Sequence, residues 1–273
     1  MQNPAPMNRG TQIGDYIVER EVSRNQAEIV LQAVHATLDR VVTIKLMAPA
    51  RVRLRDADSK LVREANILDG LRHAGIPRIY DCGVLADGRK WYATDVLAKG
   101  TLADLIAAGA RLEIAHVIHA LAAIIEHAHE HGIAHRSLRA DHIACATDAS
   151  GHTLLVDHWG DARPMTSITD AATDVHALGV IAYQALTGMM PFAAPIVSMM
   201  LARTSVGALC PRIPRAITAL IDRMIAADPL ARPTLTEVRL EAARIIAGVE
   251  TPTRTRNIEI DNEVTRFDIA LAG

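Results

Sequence analysis

Short runs of β-favouring residues, separated by polar turns, mark the first part of the chain. Three of them predict strands: Ile17-Val18, Ile29-Val30-Leu31 and Val41-Val42-Thr43-Ile44. Residues 58–71 take up the period of an amphipathic helix. Residues 79–97 return to short strands around a turn at Ala86-Asp87-Gly88. The pattern predicts a small β-rich unit that contains one helix.

The second part of the chain, after Lys99-Gly100, is predominantly helical. Residues 101–131 are Ala-rich with helical periodicity, residues 133–160 alternate between strand and loop, and helix resumes from Asp174 with breaks at prolines. No internal repeat is visible. The chain is therefore predicted to be an α+β protein, with a small β-rich half followed by a larger helical half.

Composition excludes several classes of protein. Of the 273 residues, 50% are hydrophobic and only 3% aromatic, and 29 Lys and Arg against 31 Asp and Glu give a net charge of −2. This balance argues against a nucleic-acid partner. Three widely spaced cysteines suggest no disulfide framework. The longest apolar run, residues 177–190, is too short to cross a bilayer, and the polar start is no secretory signal. We expect a soluble, cytoplasmic chain without a membrane segment.

A series of ordered motifs gives the chain a family resemblance. The motifs are Val42-Thr43-Ile44-Lys45, Glu64 in Arg63-Glu64-Ala65-Asn66, Thr94-Asp95-Val96-Leu97, His135-Arg136-Ser137-Leu138, Trp159-Gly160, Asp174-Val175-His176-Ala177-Leu178-Gly179-Val180 and Asp228-Pro229-Leu230-Ala231-Arg232-Pro233. In this order they resemble the eukaryotic-like Ser/Thr protein kinases of bacteria. The resemblance implies a two-lobed kinase-like fold with a tail at 1–15, a small lobe at 16–97, a large lobe at 98–248 and a tail at 249–273.

The resemblance also implies a nucleotide pocket, here in vestigial form. Its residues would be Lys45, Glu64, Thr43, Thr94 and Val96, with Lys45 and Glu64 forming the ion pair that bridges sheet and helix. Thr43 replaces the small residue that lies against adenine in the family. The three positions of the glycine-rich phosphate loop read Ser23, Asn25 and Glu28. We therefore expect no cofactor, or weak binding of ATP.

The positions that carry the family's chemistry are substituted. Ser137 replaces the catalytic aspartate, and a hydroxyl is no base near neutral pH without an activator. His142 replaces the metal-binding asparagine and His158 the metal-binding aspartate, although Mg²⁺ prefers oxygen ligands. Asp157 is set aside because neighbouring side chains on a strand point to opposite faces. No catalytic residue and no metal are expected; a transition-metal site between His142 and His158 is the alternative.

Other residues of the resemblance are structural. Leu68, His135 and Trp159 would form a hydrophobic spine between the lobes, and Asp174 would anchor the catalytic-loop backbone. The stretch from Gly160 to Asp174 is short and lacks the Ala-Pro-Glu motif of the family. Arg232 therefore loses the glutamate with which it would pair, and no platform for a peptide substrate is expected.

Together these substitutions predict a pseudokinase rather than an enzyme. Its function would be that of a scaffold or allosteric regulator in bacterial signalling. Two alternatives stay open: a sensor that binds ATP without metal, and a Ser/Thr kinase-like enzyme with weak residual phosphotransfer. The number of chains in the assembly is left open.

The C-terminal tail offers a candidate docking segment. Thr265-Arg266-Phe267-Asp268 resembles the phosphothreonine-x-x-Asp pattern that forkhead-associated domains read. Thr265 and Asp268 are thus candidate contacts for a protein partner, either a forkhead-associated-domain protein or a kinase. The alternative is that the apolar residues of the tail pack onto the large lobe or onto a second copy of the chain.

Overall fold

A small lobe built on an antiparallel sheet precedes a larger, mainly helical lobe, as the pattern predicts. The structure is a computed structural model that describes residues 7–49, 60–96, 100–148, 151–191 and 205–248. The two-lobed α+β architecture is confirmed. The lobe boundaries derived from the motifs stay predictions.

The small lobe is a six-stranded sheet with one helix in its described residues. Its elements are β1 (Gln12–Ile13), β2 (Tyr16–Arg24), β3 (Glu28–His35), β4 (Val41–Met47), α1 (Lys60–Gly70), β5 (Ile79–Val84) and β6 (Lys90–Thr94). The strands are all antiparallel and lie in the order β1-β2-β3-β4-β6-β5. The sheet begins before residue 16, because Ile13 is fully buried and β1 pairs with β2.

Strand β4 is buried on both faces, whereas antiparallel strands commonly have one face in contact with solvent. Val42, Ile44 and Leu46 pack into the core of the small lobe. Thr43 and Lys45 alternate with them and therefore point to the opposite face, toward the cleft between the lobes. The period of two along this strand thus places a lysine in the interior.

The large lobe is predominantly helical, with short strand pairs near the cleft. Its elements are β7 (Gly100–Thr101), α2 (Leu102–Ala107), α3 (Ile114–Glu130), β8 (Ile133–Ala134), β9 (Ile143–Asp148), β10 (Gly151–Val156), β11 (Arg163–Pro164), α4 (Ile168–Thr187), α5 (Val206–Leu209), α6 (Arg215–Met224) and α7 (Leu235–Ile246). Its apolar core extends into the small lobe through Leu61 and Leu68 of α1. None of these described helices is long and apolar enough to cross a membrane.

Helix α4 begins earlier than the sequence pattern indicates. The motifs predict a start at Asp174, but the helix starts at Ile168. The reason is a local cap: the carboxylate of Asp170 accepts the backbone N–H groups of Thr166 (2.9 Å) and Ser167 (3.1 Å). Only residues 161–167 therefore connect Gly160 to α4, which makes the connection even shorter than predicted.

Helix α4 packs so closely on the end of α6 that Gly179 has no room for a side chain. A Cβ at this position would lie 2.7 Å from Ile225 Cγ2 and 2.8 Å from Met224 Cβ. We predict that Gly179→Ala lowers the free energy of unfolding by about 1–3 kcal/mol through overpacking, despite the better helix propensity of alanine.

The matched control is Gly70→Ala at the end of α1, where no atom lies within 4 Å of the new Cβ. This variant should be neutral or more stable by up to about 1 kcal/mol. Chemical denaturation of both variants measures the difference. Equal stability of Gly179→Ala and the natural chain would contradict the packing argument.

Candidate functional site

A buried lysine and two carboxylates form the centre of the cleft. Lys45 is 1% exposed. Its Nζ donates to Glu64 Oε1 at 2.9 Å and to both oxygens of Asp157, Oδ1 at 2.8 Å and Oδ2 at 3.0 Å. The predicted ion pair between Lys45 and Glu64 is thus confirmed. Asp157 joins it as a second carboxylate that the sequence reasoning did not include.

Glu64 reaches the lysine because it lies on the buried face of α1. Leu61, Glu64 and Leu68 follow helical spacing along that face. Glu64 Oε1 also accepts the backbone N–H of Trp159 at 3.1 Å, and Arg63 donates to the carbonyl of Gly160 at 3.0 Å. Helix α1 is therefore docked against both the sheet and the turn that follows β10.

Lys45 and Asp157 hold each other in their ionised forms, whereas burial has the larger effect on Glu64. Burial alone lowers the pKa of Lys45, but the carboxylates of Asp157 and Glu64 outweigh it and keep that pKa well above its ordinary value. Burial raises the pKa of Asp157, yet Lys45 and His158 reverse this and hold it well below its usual range. Burial raises the pKa of Glu64 against the opposing effect of Lys45.

Asp157 faces the lysine because the strand ends before it. Side chains alternate between faces only inside a strand, and β10 ends at Val156. His158 then adopts a left-handed backbone, with φ 63° and ψ 48°, and a short 3₁₀ turn follows from Trp159. This turn brings two consecutive side chains to the cleft, so Asp157 reaches Lys45, while the assignment of the metal position to His158 stays a prediction.

Two imidazole rings stack beside the catalytic loop. The rings of His142 and His158 are nearly parallel, with 4.2 Å between centroids and 7° between planes. His142 Nδ1 donates to the carbonyl of Ser137 at 2.7 Å, and His158 Nδ1 lies 3.3 Å from Asp157 Oδ2. The sequence argument that these two histidines would face each other is confirmed in this geometry.

The two imidazoles differ in their acid–base properties. The hydrogen bond with Asp157 raises the pKa of His158 above its ordinary value, whereas burial, followed by the charge of His158, lowers the pKa of His142. The side chain of His158 is 48% exposed, so it is open to the cleft. Of the two rings, His158 is therefore the accessible acid–base group.

The residues of the cleft do not fit the magnesium site that the family resemblance implies. Imidazole nitrogens stand at the two metal positions, Mg²⁺ prefers oxygen, and both carboxylate oxygens of Asp157 are bound to Lys45. In the described ranges, no group of three or more His, Cys, Asp or Glu side chains is arranged to hold a metal ion.

The catalytic-loop backbone is held by a buried aspartate, as the resemblance implies. Asp174 is 1% exposed and accepts the backbone N–H groups of His135 and Arg136, each at 2.8 Å, and His129 Nε2 at 2.8 Å. Arg136 has a left-handed φ of 63°. Such a conformation costs on the order of 1–3 kcal/mol in a non-glycine residue. The buried carboxylate therefore offsets the backbone strain at Arg136, the residue before Ser137.

The remaining structural residues of the motif set also meet. The rings of His135 and Trp159 are in edge contact with centroids 4.5 Å apart, and Leu68 lies in the same core. Arg232 finds other partners than the missing glutamate: it donates to the carbonyls of Ala226 (2.8 Å) and Ala172 (2.9 Å). The frame of the fold is thus retained around the substituted chemistry.

In the turn at the phosphate-loop position, a side chain of the turn binds two of its own backbone N–H groups. Asn25 Oδ1 accepts the backbone N–H groups of Ala27 at 2.7 Å and Glu28 at 2.9 Å. Backbone N–H groups are the donors that a glycine-rich loop offers to phosphate. In this hairpin two of them are already bound by the Asn25 side chain, a feature that the missing glycines alone did not reveal.

The other predicted pocket residues lie on β4, at the end of β6 and just after β6. Thr43 and Thr94 are buried and stand opposite each other in the pairing of β4 with β6, while Val96 is 47% exposed. Thr94 Oγ1 donates to the carbonyl of Arg78 at 2.8 Å. Their assignment to a nucleotide pocket stays a prediction.

Comparison with known proteins finds relatives among the serine/threonine-protein kinases. No protein-family model matches the chain. Among curated proteins, it is 26% identical over 263 residues to the serine/threonine-protein kinase PknJ of Mycobacterium tuberculosis, covering 84% of this chain and 44% of that protein. It is 25% identical to a probable serine/threonine-protein kinase of Clostridium acetobutylicum, covering 92% of this chain and 42% of that protein.

Solved structures give the same result for the fold. The kinase domain of Mycobacterium tuberculosis PknI superposes with a TM-score of 0.66 at 19% identity, covering 87% of this chain and 99% of that domain. The chain is a relative of the bacterial Ser/Thr protein kinases. It spans less than half the length of these two curated relatives. The family resemblance drawn from the motifs is confirmed.

The expectation that this kinase relative is not an enzyme is wrong. The proteins it resembles are named as Ser/Thr protein kinases, and these names point to an enzyme. The expectation rested on the substituted positions Ser137, His142 and His158, on the loss of the phosphate-loop glycines and on the short stretch after Gly160. Substitution removes the usual groups at those positions but does not empty the cleft, which holds Lys45, Asp157 and two titratable rings.

The docking prediction for the tail lies outside the described residues. Thr265 and Asp268 both fall in the range 249–273, which follows the last described residue. Their contact with a partner stays a prediction.

The ion cluster at Lys45 generates a stability prediction. Lys45→Met removes the ammonium that lies between two buried carboxylates, and breaking a buried ion pair in this way costs about 3–5 kcal/mol. We predict a loss of this size in the free energy of unfolding, measured by chemical denaturation.

Lys60→Met is the matched control, because Lys60 pairs with Asp161 in an ion pair of which the lysine side chain is 65% exposed. Exposed pairs contribute little to stability, so this variant should unfold close to the natural chain. If both lysine variants were equally stable, the buried cluster would not hold the lobes together as described.

Proposed function

We propose that the chain binds a nucleoside triphosphate between its lobes and transfers the terminal phosphate to a protein hydroxyl, using a rearranged set of polar groups. The observation that supports this most directly is the position of Lys45. This lysine lies in the cleft of a kinase fold, with Glu64 of the docked α1 on its Nζ at 2.9 Å. A fixed cation at this point is what phosphate positioning requires.

Lys45 carries most of the phosphate positioning in this proposal. The hairpin at residues 23–28 offers few free N–H donors, since Asn25 binds two of them. No step of the proposed reaction passes through magnesium, because the cleft residues do not fit that ion. Charge neutralisation therefore depends on the side chains of the chain itself.

His158 is the proposed acceptor of the substrate proton. Ser137 supplies no base, whereas His158 is open to the cleft and oriented by Asp157 at 3.3 Å. In the transfer, the hydroxyl oxygen bonds to the terminal phosphorus while the bridging P–O bond breaks. The nucleoside diphosphate leaves, and the hydroxyl proton passes to the imidazole.

The test is phosphate transfer from radiolabelled ATP to the chain itself or to a generic protein substrate, with and without Mg²⁺. Lys45→Ala should abolish the signal, and His158→Asn should reduce the rate by about 10²–10⁴-fold, as expected for a lost general base. In the natural chain the rate should rise with pH as His158 loses its proton, since only the neutral ring accepts one.

The control histidine is the exposed His116 on α3, and His116→Asn should leave both rate and pH profile unchanged. A signal that persists in Lys45→Ala would point to a contaminating kinase. Absence of transfer by the natural chain, under all conditions, would contradict this proposal.

A second candidate function is that of a nucleotide-responsive regulator or scaffold in cytoplasmic signalling. The short connection at 161–167 favours it, because few residues remain there to hold a peptide substrate. In this role the tail 249–273 would dock to a protein partner, with phosphorylated Thr265 and with Asp268 read by a forkhead-associated domain.

If the chain acts as a regulator in this way, the tail by itself should bind the partner's forkhead-associated domain. A tail peptide phosphorylated at Thr265 should bind an isolated forkhead-associated domain, and the unphosphorylated peptide and the Asp268→Ala peptide should bind much more weakly. Fluorescence anisotropy measures all three. Equal binding of the three peptides would remove the docking motif from the proposal.

A further inference from the structure

All donors of the Lys45 ammonium are already in use. An ammonium group has three N–H donors. Three carboxylate oxygens lie within hydrogen-bond distance of Nζ: Glu64 Oε1 and the two oxygens of Asp157. The side chain is 2% exposed, so water does not compete for it. In this arrangement Lys45 has no donor to offer to a phosphate oxygen.

We propose that Asp157 occupies the place of a phosphate group at Lys45, and that a nucleotide binds with its phosphates only when this carboxylate moves off the lysine. Asp157 is then the residue that determines the affinity of the cleft for the phosphate part of its ligand. The inference rests on the proposed nucleotide binding, and it adds that the Asp157 carboxylate competes with phosphate for Lys45.

The charge balance of the cluster requires this exchange. Two carboxylates already surround one ammonium, and a polyphosphate would add further negative charge within a few ångströms. Like charges brought together in a binding site cost several kcal/mol, which corresponds to more than tenfold in affinity. A phosphate and the Asp157 carboxylate therefore exclude one another at Lys45.

The two carboxylates differ in how firmly they are held. Glu64 also accepts the backbone N–H of Trp159, which fixes it to the turn. Asp157 follows the end of β10, and its Oδ2 has a second partner in His158 Nδ1 at 3.3 Å. Asp157 is thus the carboxylate that leaves Lys45, since it keeps an imidazole partner when it does.

The experiment compares ligands with and without phosphate. Adenosine, ADP and ATP, each without Mg²⁺, and inorganic tripolyphosphate are titrated calorimetrically into the natural chain and into Asp157→Asn and Asp157→Ala. We expect both variants to bind ADP, ATP and tripolyphosphate about tenfold or more tightly than the natural chain does. Their affinity for adenosine should be unchanged.

Asp161→Asn is the matched control. Asp161 lies in the turn after β10 as well, but its carboxylate pairs with the exposed Lys60 at 2.7 Å and not with Lys45. Its affinity for all four ligands should stay within twofold of the natural chain. Melting temperatures establish that each variant is folded before titration.

One arm needs no substitution. In the natural chain, ATP without Mg²⁺ should bind no more tightly than adenosine, because the Lys45 ammonium is already bound by Glu64 and Asp157. ATP binding at least tenfold tighter than adenosine would overturn the inference, even where both Asp157 variants fail to fold.

The outcomes separate this inference from the proposed function. Unchanged ATP and tripolyphosphate affinity in folded Asp157→Asn, with adenosine binding retained, overturns the role of Asp157 and leaves nucleotide binding standing. If no form binds adenosine, ADP or ATP, the proposed function fails. In that case, tripolyphosphate binding by Asp157→Asn but not by the natural chain would still support the competition at Lys45.

Discussion

The ion cluster of Lys45, Glu64 and Asp157 is the interaction on which the rest of the structure depends. Its three members come from β4, from α1 and from the turn after β10, so one buried charge group joins the sheet, the helix and the large lobe. A buried lysine is costly to desolvate unless it is fully paired, and each carboxylate depends on it in turn. The cleft therefore has its shape because these three charges stabilise one another away from water.

A second buried carboxylate fixes the other side of the cleft. Asp174 binds two consecutive backbone N–H groups at His135 and Arg136 and so holds a left-handed residue in the catalytic loop. Between these two anchors lie the positions that differ from the family, Ser137, His142 and His158. The frame of a protein kinase fold is retained and the chain's relatives are kinases, while these three positions differ from the motifs of the family.

The exchanged groups form a cluster with its own chemistry. The stack of His142 on His158, and the contact of His158 with Asp157, give the cleft titratable nitrogen where oxygen ligands for magnesium would stand in the family. Asp157 connects this cluster to Lys45. In the proposed reaction, phosphate positioning, proton acceptance and the competition at the lysine are therefore coupled through one side chain.

The hydrophobic pattern and the ordered motifs were enough to predict much of the fold and several contacts of the cleft. The period of two in β4, the helical spacing of Leu61, Glu64 and Leu68, and the motif order were enough to predict two lobes, the Lys45–Glu64 pair, the Asp174 anchor and the facing histidines. The motif substitutions predicted loss of activity wrongly, because a motif states which groups are missing and not which others are present. Only the tertiary structure decided the role of Asp157, the use of N–H groups by Asn25 and the early start of α4. These features depend on where a strand ends, how a turn bends and which side chain reaches a backbone group, and hydrophobic periodicity carries no information about any of them.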